Sequence, residues 1–141
     1  MKDLGTWLDA YSVSHKNKTN KWIHRLCVPA IMWSILGLVD LIQLPGGITM
    51  LPLVLVGCLF FYLMLGVKVF MAMALICAPM VFTIKYFQLT WQVYLLVFIV
   101  AWIGQFIGHK IEGKKPSFID DLSFLLIGPL WILGPGVRKL G

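Results

Sequence analysis

The sequence predicts an all-α integral membrane protein with about four transmembrane helices, an N-terminal interfacial helix and a short C-terminal interfacial or re-entrant segment. Of its 141 residues, 60% are apolar and 13% are charged. The stretch from Leu51 to Ile84 carries a single charge, Lys68. A soluble domain cannot bury that much apolar surface, and this stretch is longer than one membrane crossing. At this length we expect residues 1–141 to form a single membrane domain.

The N-terminal region predicts a surface helix followed by the first span. In residues 3–14 the apolar side chains recur on one face, which predicts a helix lying on the membrane surface through Leu4, Trp7, Leu8 and Tyr11. The polar run at residues 16–20 interrupts it. Thr19 or Asn20 then suits the N-cap of a helix over residues 21–42, which is the first span.

Three further spans follow from the turns between the apolar runs. An uncharged turn at residues 44–47 precedes a span at residues 49–66, and a tight turn from Gly66 to Lys68 precedes one at residues 69–85. The last span covers residues 91–109. The apolar segment at residues 122–133 is too short for an ordinary crossing, and Gly128-Pro129 interrupts it, which predicts an interfacial or re-entrant segment.

The basic residues border the apolar runs and form no stripe with interleaved aromatic residues, which argues against nucleic-acid binding despite the net charge of +6. They are typical of cytoplasmic segments under the positive-inside rule. The N-terminus and the end of span four are therefore expected on the cytoplasmic side. The group before the first span is Lys2, Lys16, Lys18, Lys21 and Arg25, and the group after the last span is Lys110, Lys114 and Lys115.

The chain has three histidines, His15, His24 and His109. Four spans place all three near one membrane face, whereas three spans would place His109 on the opposite face from the other two. On one continuous helix, nine residues would also turn His15 and His24 to opposite sides, but the break at residues 16–20 lets the first helix fold back. The three cysteines are widely spaced, without a CxxC pair, and are expected to be small buried hydrophobic residues.

Several polar residues accompany the histidines. Glu112 follows His109 by three residues and Gln105 precedes it by four, so both share its helix face. Asn17, Asn20 and Gln105 can orient the imidazole rings. Three imidazoles near a carboxylate suit iron(II), zinc or copper(II). Two alternatives stay open: a lipid-binding or structural protein in which the histidines cap helices, and a haem protein with His24 and His109 as axial ligands.

The arrangement of these residues resembles the membrane-bound 2-hydroxy fatty acid dioxygenases, a family with a fungal member of phytosphingosine breakdown and many bacterial members. The resemblance covers nearly the whole chain. The resemblance rests on two histidine motifs at opposite ends of the sequence and on a terminal segment: Tyr11, His15, Asn20, His24 and Pro29; Trp102, Gln105, Gly108, His109, Glu112 and Pro116; Asp121-Leu122 and Gly128-Pro129. In the fungal pattern the glutamate follows the histidine by four residues, whereas Glu112 follows His109 by three.

The resemblance implies an iron(II) enzyme that uses dioxygen to shorten a 2-hydroxy fatty acid by one carbon, at the cytoplasmic face of a bacterial inner membrane. The acyl tail would stay in the bilayer while the head group reaches the interface. By position, His15, His24 and His109 are the metal ligands. Glu112 and Gln105 are catalytic candidates, which orient the site or handle protons. The candidates for substrate binding are Arg25, Lys110, Tyr11 and Asn20.

Overall fold

The computed structural model describes all residues from Met1 to Gly141, and it confirms the all-helical, multi-span membrane fold. The helices, in chain order, are α1 (Leu4–Ser12), α2 (Lys18–Asp40), α3 (Leu51–Leu65), α4 (Val67–Phe87), α5 (Trp91–Glu112) and α6 (Phe124–Trp131). Two short 3₁₀ turns, Ser117–Ile119 and Pro135–Leu140, flank α6. Helices α2, α4 and α5 are long and apolar enough to cross a membrane, whereas α3 is an apolar helix of 15 residues.

The start of the first span differs from the prediction. Asn17, not Thr19 or Asn20, caps α2, because its side-chain oxygen accepts hydrogen bonds from the backbone N–H of Thr19 at 2.9 Å and of Asn20 at 3.3 Å. The helix therefore begins at Lys18. This leaves only residues 13–17 between α1 and α2, and the short break turns the chain back on itself, as the sequence predicted.

The apolar face of α1 was predicted to lie on the membrane surface, and this is wrong. Leu4, Trp7, Leu8 and Tyr11 are 2–6% exposed because the face packs inside the protein. It joins residues of α6, including Ile127, in the larger hydrophobic core. The sequence showed the amphipathic face but not the protein surface that covers it.

Helices α3 and α4 form a hairpin with Gly66 as the single intervening residue. The predicted turn from Gly66 to Lys68 is therefore too long, since α4 already begins at Val67. Gly66 has a φ of +145°, which residues with a Cβ rarely adopt. The predicted start of α3 at residue 49 is also wrong. Thr49 instead pairs with Gln43 in an isolated β-bridge, and the helix begins only at Leu51.

The positions of the helix ends show that successive helices of the bundle run antiparallel. At one end, the Lys85 ammonium near the end of α4 pairs with the Asp40 carboxylate at the end of α2, at 2.6 Å. At the other end, the Gly66 turn lies beside the C-terminal backbone at Leu140. The start of α2 and the end of α5 share one end of the bundle. The four apolar helices α2 to α5, with the shorter α3 among them, thus place His24 and His109 together.

Helices α2 and α5 form the most extensive helix pair. Two glycines on α5, one turn apart, allow the close approach. A Cβ at Gly104 would lie 2.6 Å from the sulfur of Cys27, and a Cβ at Gly108 would lie 2.3 Å from the side-chain oxygen of Asn20. Both distances are below any ordinary contact, so the interface next to the histidines requires glycine at these positions.

The C-terminal segment predicted at residues 122–133 contains α6, whose eight residues extend about 12 Å, too short to cross a bilayer. It packs between α1 and the helical bundle, and Ile127 and Leu130 are fully buried. The hydroxyl of Tyr62 on α3 donates a hydrogen bond to the carbonyl of Leu126 at 2.8 Å. Helix α6 is thereby fixed over the end of the bundle that carries the histidines.

Candidate metal centre

The three histidines converge on one point. His15 lies in the break between α1 and α2, His24 in the second turn of α2, and His109 in the last turn of α5. The Nε2 atom of His24 is 2.9 Å from Nε2 of His15 and 3.2 Å from Nε2 of His109. The three ligand atoms all lie within 4.8 Å of one another. All three side chains are buried, at 1%, 1% and 5% exposure.

Backbone hydrogen bonds fix the tautomers of His15 and His24. The Nδ1 atom of His15 is 2.6 Å from the carbonyl oxygen of Tyr11, and Nδ1 of His24 is 3.0 Å from that of Asn20. A carbonyl only accepts, so each Nδ1 carries the proton and each Nε2 presents a lone pair. Two lone pairs that face each other at 2.9 Å repel unless positive charge lies between them. This arrangement fits a cation.

The distances also fit a metal ion. Two nitrogens bound at about 2.0–2.1 Å to one metal lie about 2.9–3.4 Å apart at tetrahedral or octahedral angles. The two separations from His24, 2.9 and 3.2 Å, fall in this range. The donor set is three neutral imidazoles, which suits iron, zinc or copper and leaves coordination positions for other molecules.

Burial keeps the first histidine neutral. Burial is the largest of the effects that together lower the pKa of His15 to about 3; the nearby His24 and His109 act in the same direction, and the Tyr11 carbonyl and Glu112 act against it. A neutral imidazole is the form that binds metal. The imidazole of His15 is therefore available as a ligand at neutral pH.

Aromatic rings and hydroxyls surround His15. The Tyr11 ring stacks on it with centroids 4.0 Å apart, and the Trp131 ring lies 5.1 Å away. The indole N–H of Trp131 donates to the Ser12 hydroxyl at 3.0 Å. On another side, the Ser14 hydroxyl lies 3.2 Å from Nδ1 of His15 and 2.7 Å from the Ser117 hydroxyl. Tyr11, a candidate for substrate binding in the sequence analysis, thus lies against His15 and lines the cavity described below.

Trp131, Ser14 and Ser117 were missed by the sequence analysis. Trp131 and Ser117 are more than a hundred residues from His15 along the chain, and they reach it only because α6 and the turn before it fold back over the bundle. No local pattern marks them. Ser14 adjoins His15 in the sequence, but a single serine next to a histidine is not a signal.

Glu112 and Asn20 lie beside the metal centre and join its parts. The Glu112 carboxylate accepts hydrogen bonds from the backbone N–H groups of Lys16 and Asn17, each at 2.8 Å, and from the Asn20 side-chain amide at 3.1 Å. Such charge-assisted bonds are roughly twice as strong as neutral ones. They tie the end of α5 to the break that carries His15.

Gln105 lies one turn before His109 on α5, as predicted, and it lines the cavity described below. Its side-chain nitrogen is buried and has no hydrogen-bond partner. Buried polar groups are nearly always hydrogen-bonded, and unpaired ones are common at functional sites. The Gln105 amide is thus a free donor next to the histidines.

The two predicted cationic residues are not brought to the histidines. Arg25 and Lys110 are exposed, and neither lines the cavity. The Arg25 guanidinium lies over the Trp22 ring, 5.0 Å from its centroid. The structure places both on the outer surface near the same end of the bundle, outside the group of side chains that surrounds the histidines.

A cavity of about 170 Å³ extends from the three histidines into the bundle. Its walls are mostly apolar and contain no lysine, arginine, aspartate or glutamate. Two of its lining residues, Ile35 at 38% and Leu125 at 46%, are also exposed on the outer surface of the protein. The cavity is also lined by residues of five helices that the sequence analysis did not identify as site residues, including Leu36, Val54, Cys58, Tyr62, Cys77, Trp102 and Leu126.

Comparison with known proteins identifies the family. The model of the family described as 2-hydroxy-palmitic acid dioxygenase Mpo1-like matches residues 1–139. The chain is 29% identical over 143 residues to the 2-hydroxy-palmitic acid dioxygenase MPO1 of Saccharomyces cerevisiae, and the match covers 99% of this chain and 82% of that protein. No solved structure matches. The chain belongs to the Mpo1-like family, which confirms the family resemblance seen in the sequence.

Proposed function

We propose that this member of the Mpo1-like family is an iron(II)-dependent dioxygenase that converts a 2-hydroxy fatty acid into the fatty acid one carbon shorter. One 2-hydroxy acid and one dioxygen give the shorter acid, carbon dioxide and water. The bond between carbons 1 and 2 breaks, and carbon 2 becomes the new carboxyl group. The substrate supplies all four electrons that dioxygen takes up, so the reaction needs no external reductant.

The observation that supports this most is the position of the histidines at the end of an apolar cavity. His15 and His24 direct lone pairs at each other from 2.9 Å, and the cavity extends from this point between helices that suit a lipid tail. The chemistry that iron(II) supplies when bound there is redox chemistry with dioxygen and attraction for the carboxylate and hydroxyl of the substrate. Zinc fits the same nitrogens but has no redox chemistry.

The residues around the histidines have separate roles in this proposal. The amide N–H of Gln105 donates a hydrogen bond to the substrate head group, because it is buried and unpaired in a residue that lines the cavity. Tyr11 and Trp131 cover His15 with aromatic surface and exclude water. The cavity has no charged side chain, so neither Arg25 nor Lys110 neutralises the carboxylate there; a metal held by the three histidines would supply the positive charge.

Glu112 and Asn20 act as positioning residues. Neither lines the cavity, and Glu112 binds the backbone N–H groups of the two residues that follow His15. Their hydrogen bonds hold His15 in register with His109, as groups outside the coordination shell commonly orient metal ligands. Arg25 and Lys110 act earlier, by attracting the carboxylate to this face of the membrane. The N-terminus and the histidines lie on the cytoplasmic face of a bacterial inner membrane, where the basic residues are retained.

The haem alternative fits the geometry less well. Axial nitrogens on the two sides of a haem iron lie about 4 Å apart with the macrocycle between them, given metal–nitrogen bonds of about 2.0 Å. The Nε2 atoms of His24 and His109 are 3.2 Å apart, and His15 occupies the space beside them. A colourless preparation without a Soret band would be expected.

The test is elemental analysis of the anaerobically purified protein, followed by addition of 2-hydroxypalmitate and oxygen. We expect about one iron per chain and the formation of pentadecanoate and carbon dioxide. Iron without product from any 2-hydroxy acid would overturn the reaction and keep the metal centre. A protein that binds no metal would overturn both and favour a lipid-binding or structural role.

A further inference from the structure

The cavity follows one face of α2 away from the histidines. The lining residues of this helix recur every three or four positions: His24, Val28, Ile31, Met32, Ile35 and Leu36. At about 1.5 Å per residue, the distance from His24 to Leu36 is about 18 Å along the helix axis. The cavity is therefore long compared with its width, with the histidines at one end.

The opposite wall comes from the α3–α4 hairpin. Val54, Leu55, Cys58 and Tyr62 form a matching stripe on α3, and Cys77 contributes from α4. Because α3 runs antiparallel to α2, Tyr62 lies near the histidine end, where it binds α6, and Val54 lies near the far end.

The far end is closed by packed side chains. Leu36 belongs to a second buried cluster with Leu51, Ile84 and Tyr94, and Leu55 packs against it. The Tyr94 ring presses on α2 so closely that a Cβ at Gly37 would lie 2.2 Å from it. A chain that enters from the histidines thus meets a dense barrier beside Leu36.

We infer that this cavity holds the acyl chain inside the protein and limits its length, with Val54 and Leu55 setting the limit. The inference rests on the proposed function. An extended hydrocarbon chain advances about 1.3 Å per carbon, the projection of a carbon–carbon bond of about 1.5 Å, so about 18 Å accommodates about fourteen carbons beyond the head group. The lining is mostly apolar and carries no charge, so it suits the methylene groups of an acyl chain and does not suit a polar ligand of the same length.

The first test compares Val54→Phe with Val56→Phe. Val54 lines the cavity, whereas Val56, two residues on along the same helix, is 69% exposed and directed outward. Turnover is measured for 2-hydroxy acids of ten to eighteen carbons. The added ring occupies about 4 Å, close to three carbons at about 1.3 Å each. We expect Val54→Phe to shift the preferred chain two to four carbons shorter and to reduce turnover of 2-hydroxypalmitate at least tenfold.

Two variants with a smaller side chain control for a folding defect in Val54→Phe. Val54→Ala is expected to extend the accepted chain by one or two carbons, and Val56→Ala is expected to keep the wild-type profile. Identical chain-length profiles for the position-54 and position-56 variants would overturn the length limit. Because product would still form, that result would leave the proposed function in place.

The second test does not need turnover. A 2-hydroxy fatty acid with a diazirine on its terminal carbon is photolysed with the wild-type protein in lipid nanodiscs, and labelled peptides are identified by mass spectrometry. Labelling of Val54, Leu55 or Leu36 supports the cavity as the acyl site, even if the wild-type protein forms no product and the dioxygenase proposal fails. Labelling confined to outward residues such as Val56 and Phe60 would overturn the inference.

Discussion

The two helix pairs of the bundle differ in what they bury. The α2–α5 pair packs around glycines and buries polar side chains, among them Asn20, Ser34 and Gln105 as well as two histidines. In the α3–α4 hairpin, Tyr62 is the only buried side chain with a hydroxyl group, and the other buried side chains are apolar or cysteine. The outer face of the hairpin is apolar and exposed. One pair carries two histidines of the candidate metal centre. The other supplies a wall for the cavity.

This difference separates the two requirements of the site. Metal ligands must be held to within a fraction of an ångström, which close helix contact and hydrogen bonds at α2–α5 provide. A hydrocarbon chain needs only matching volume, which apolar side chains of α3 provide without directional bonds. Changes in the first pair should therefore affect metal and turnover, whereas changes in the second should affect the choice of substrate.

Replacement of a histidine should have the largest effect. His24→Ala removes the ligand whose Nε2 is close to both other histidines, so we expect loss of stoichiometric iron and at least a thousandfold loss of turnover. Iron is measured by elemental analysis and the product by mass spectrometry. Leu26→Ala, at a site that is 73% exposed on the same helix, is the control and should keep both. Retention of iron in His24→Ala would contradict the three-histidine centre.

A pair of glycine substitutions compares the two helix pairs directly. Gly108→Ala places a Cβ 2.3 Å from the Asn20 oxygen, so we expect a loss of about 1–3 kcal/mol of stability together with reduced iron content. Gly57→Ala on α3 meets nothing within 4 Å and should be neutral or slightly stabilising, because alanine favours the helix. Thermal unfolding in detergent measures both. Equal effects of the two substitutions would show that α2 and α5 do not depend on close approach at this site.

Acid should open the histidine end first in the metal-free protein. The pKa of His15 is about 3 in the folded state and about 6.5 in an unfolded chain, so below pH 6.5 the unfolded state binds the additional proton. The stability is unaffected above pH 6.5 and falls by about 1.4 kcal/mol per pH unit below it, about 2 kcal/mol by pH 5. Hydrogen exchange at pH 7.5 and pH 5, corrected for the slower intrinsic exchange of amides at the lower pH, should show weaker protection of residues 13–24 at pH 5. A loss of protection confined to the α3–α4 hairpin would argue against this origin.

The smallest effect is expected for Glu112→Gln. The amide keeps the shape of the side chain but loses the charge that strengthens its bonds to the Lys16 and Asn17 backbone. We expect iron to dissociate about tenfold faster, with little change in the global unfolding temperature. Asp120→Asn, which removes an exposed carboxylate paired with Lys115 at 2.6 Å, is the matched control. An unchanged rate of iron dissociation in Glu112→Gln would contradict the proposed positioning role of Glu112.

Several features of the site were predictable because they follow from spacing along one helix. Gln105 and His109 share a face of α5, and the even number of apolar helices places His24 beside His109. The break before α2 also lets His15 lie beside His24, although the N-cap of α2 is Asn17 and not Thr19 or Asn20 as predicted. These features depend on local periodicity and hydropathy, which the sequence contains directly.

Other features were not predictable because they depend on how distant segments pack. The face of α1 that the sequence suggested would meet the membrane is covered by α6. Trp131 reaches His15 only through the same packing. The cavity takes side chains from α2, α3, α4, α5 and α6, and no single stretch of the chain shows it.

The sequence by itself determined the membrane class, the apolar helices and the gathering of three histidines at one end, because these follow from composition, charge and helical period. The tertiary structure decided which nitrogen each histidine presents, what Glu112 binds and where the cavity ends. Those properties depend on the rotation and contact of helices that are far apart in the chain. Hydropathy constrains such contacts only weakly inside a membrane, where lipid and protein surfaces are equally apolar.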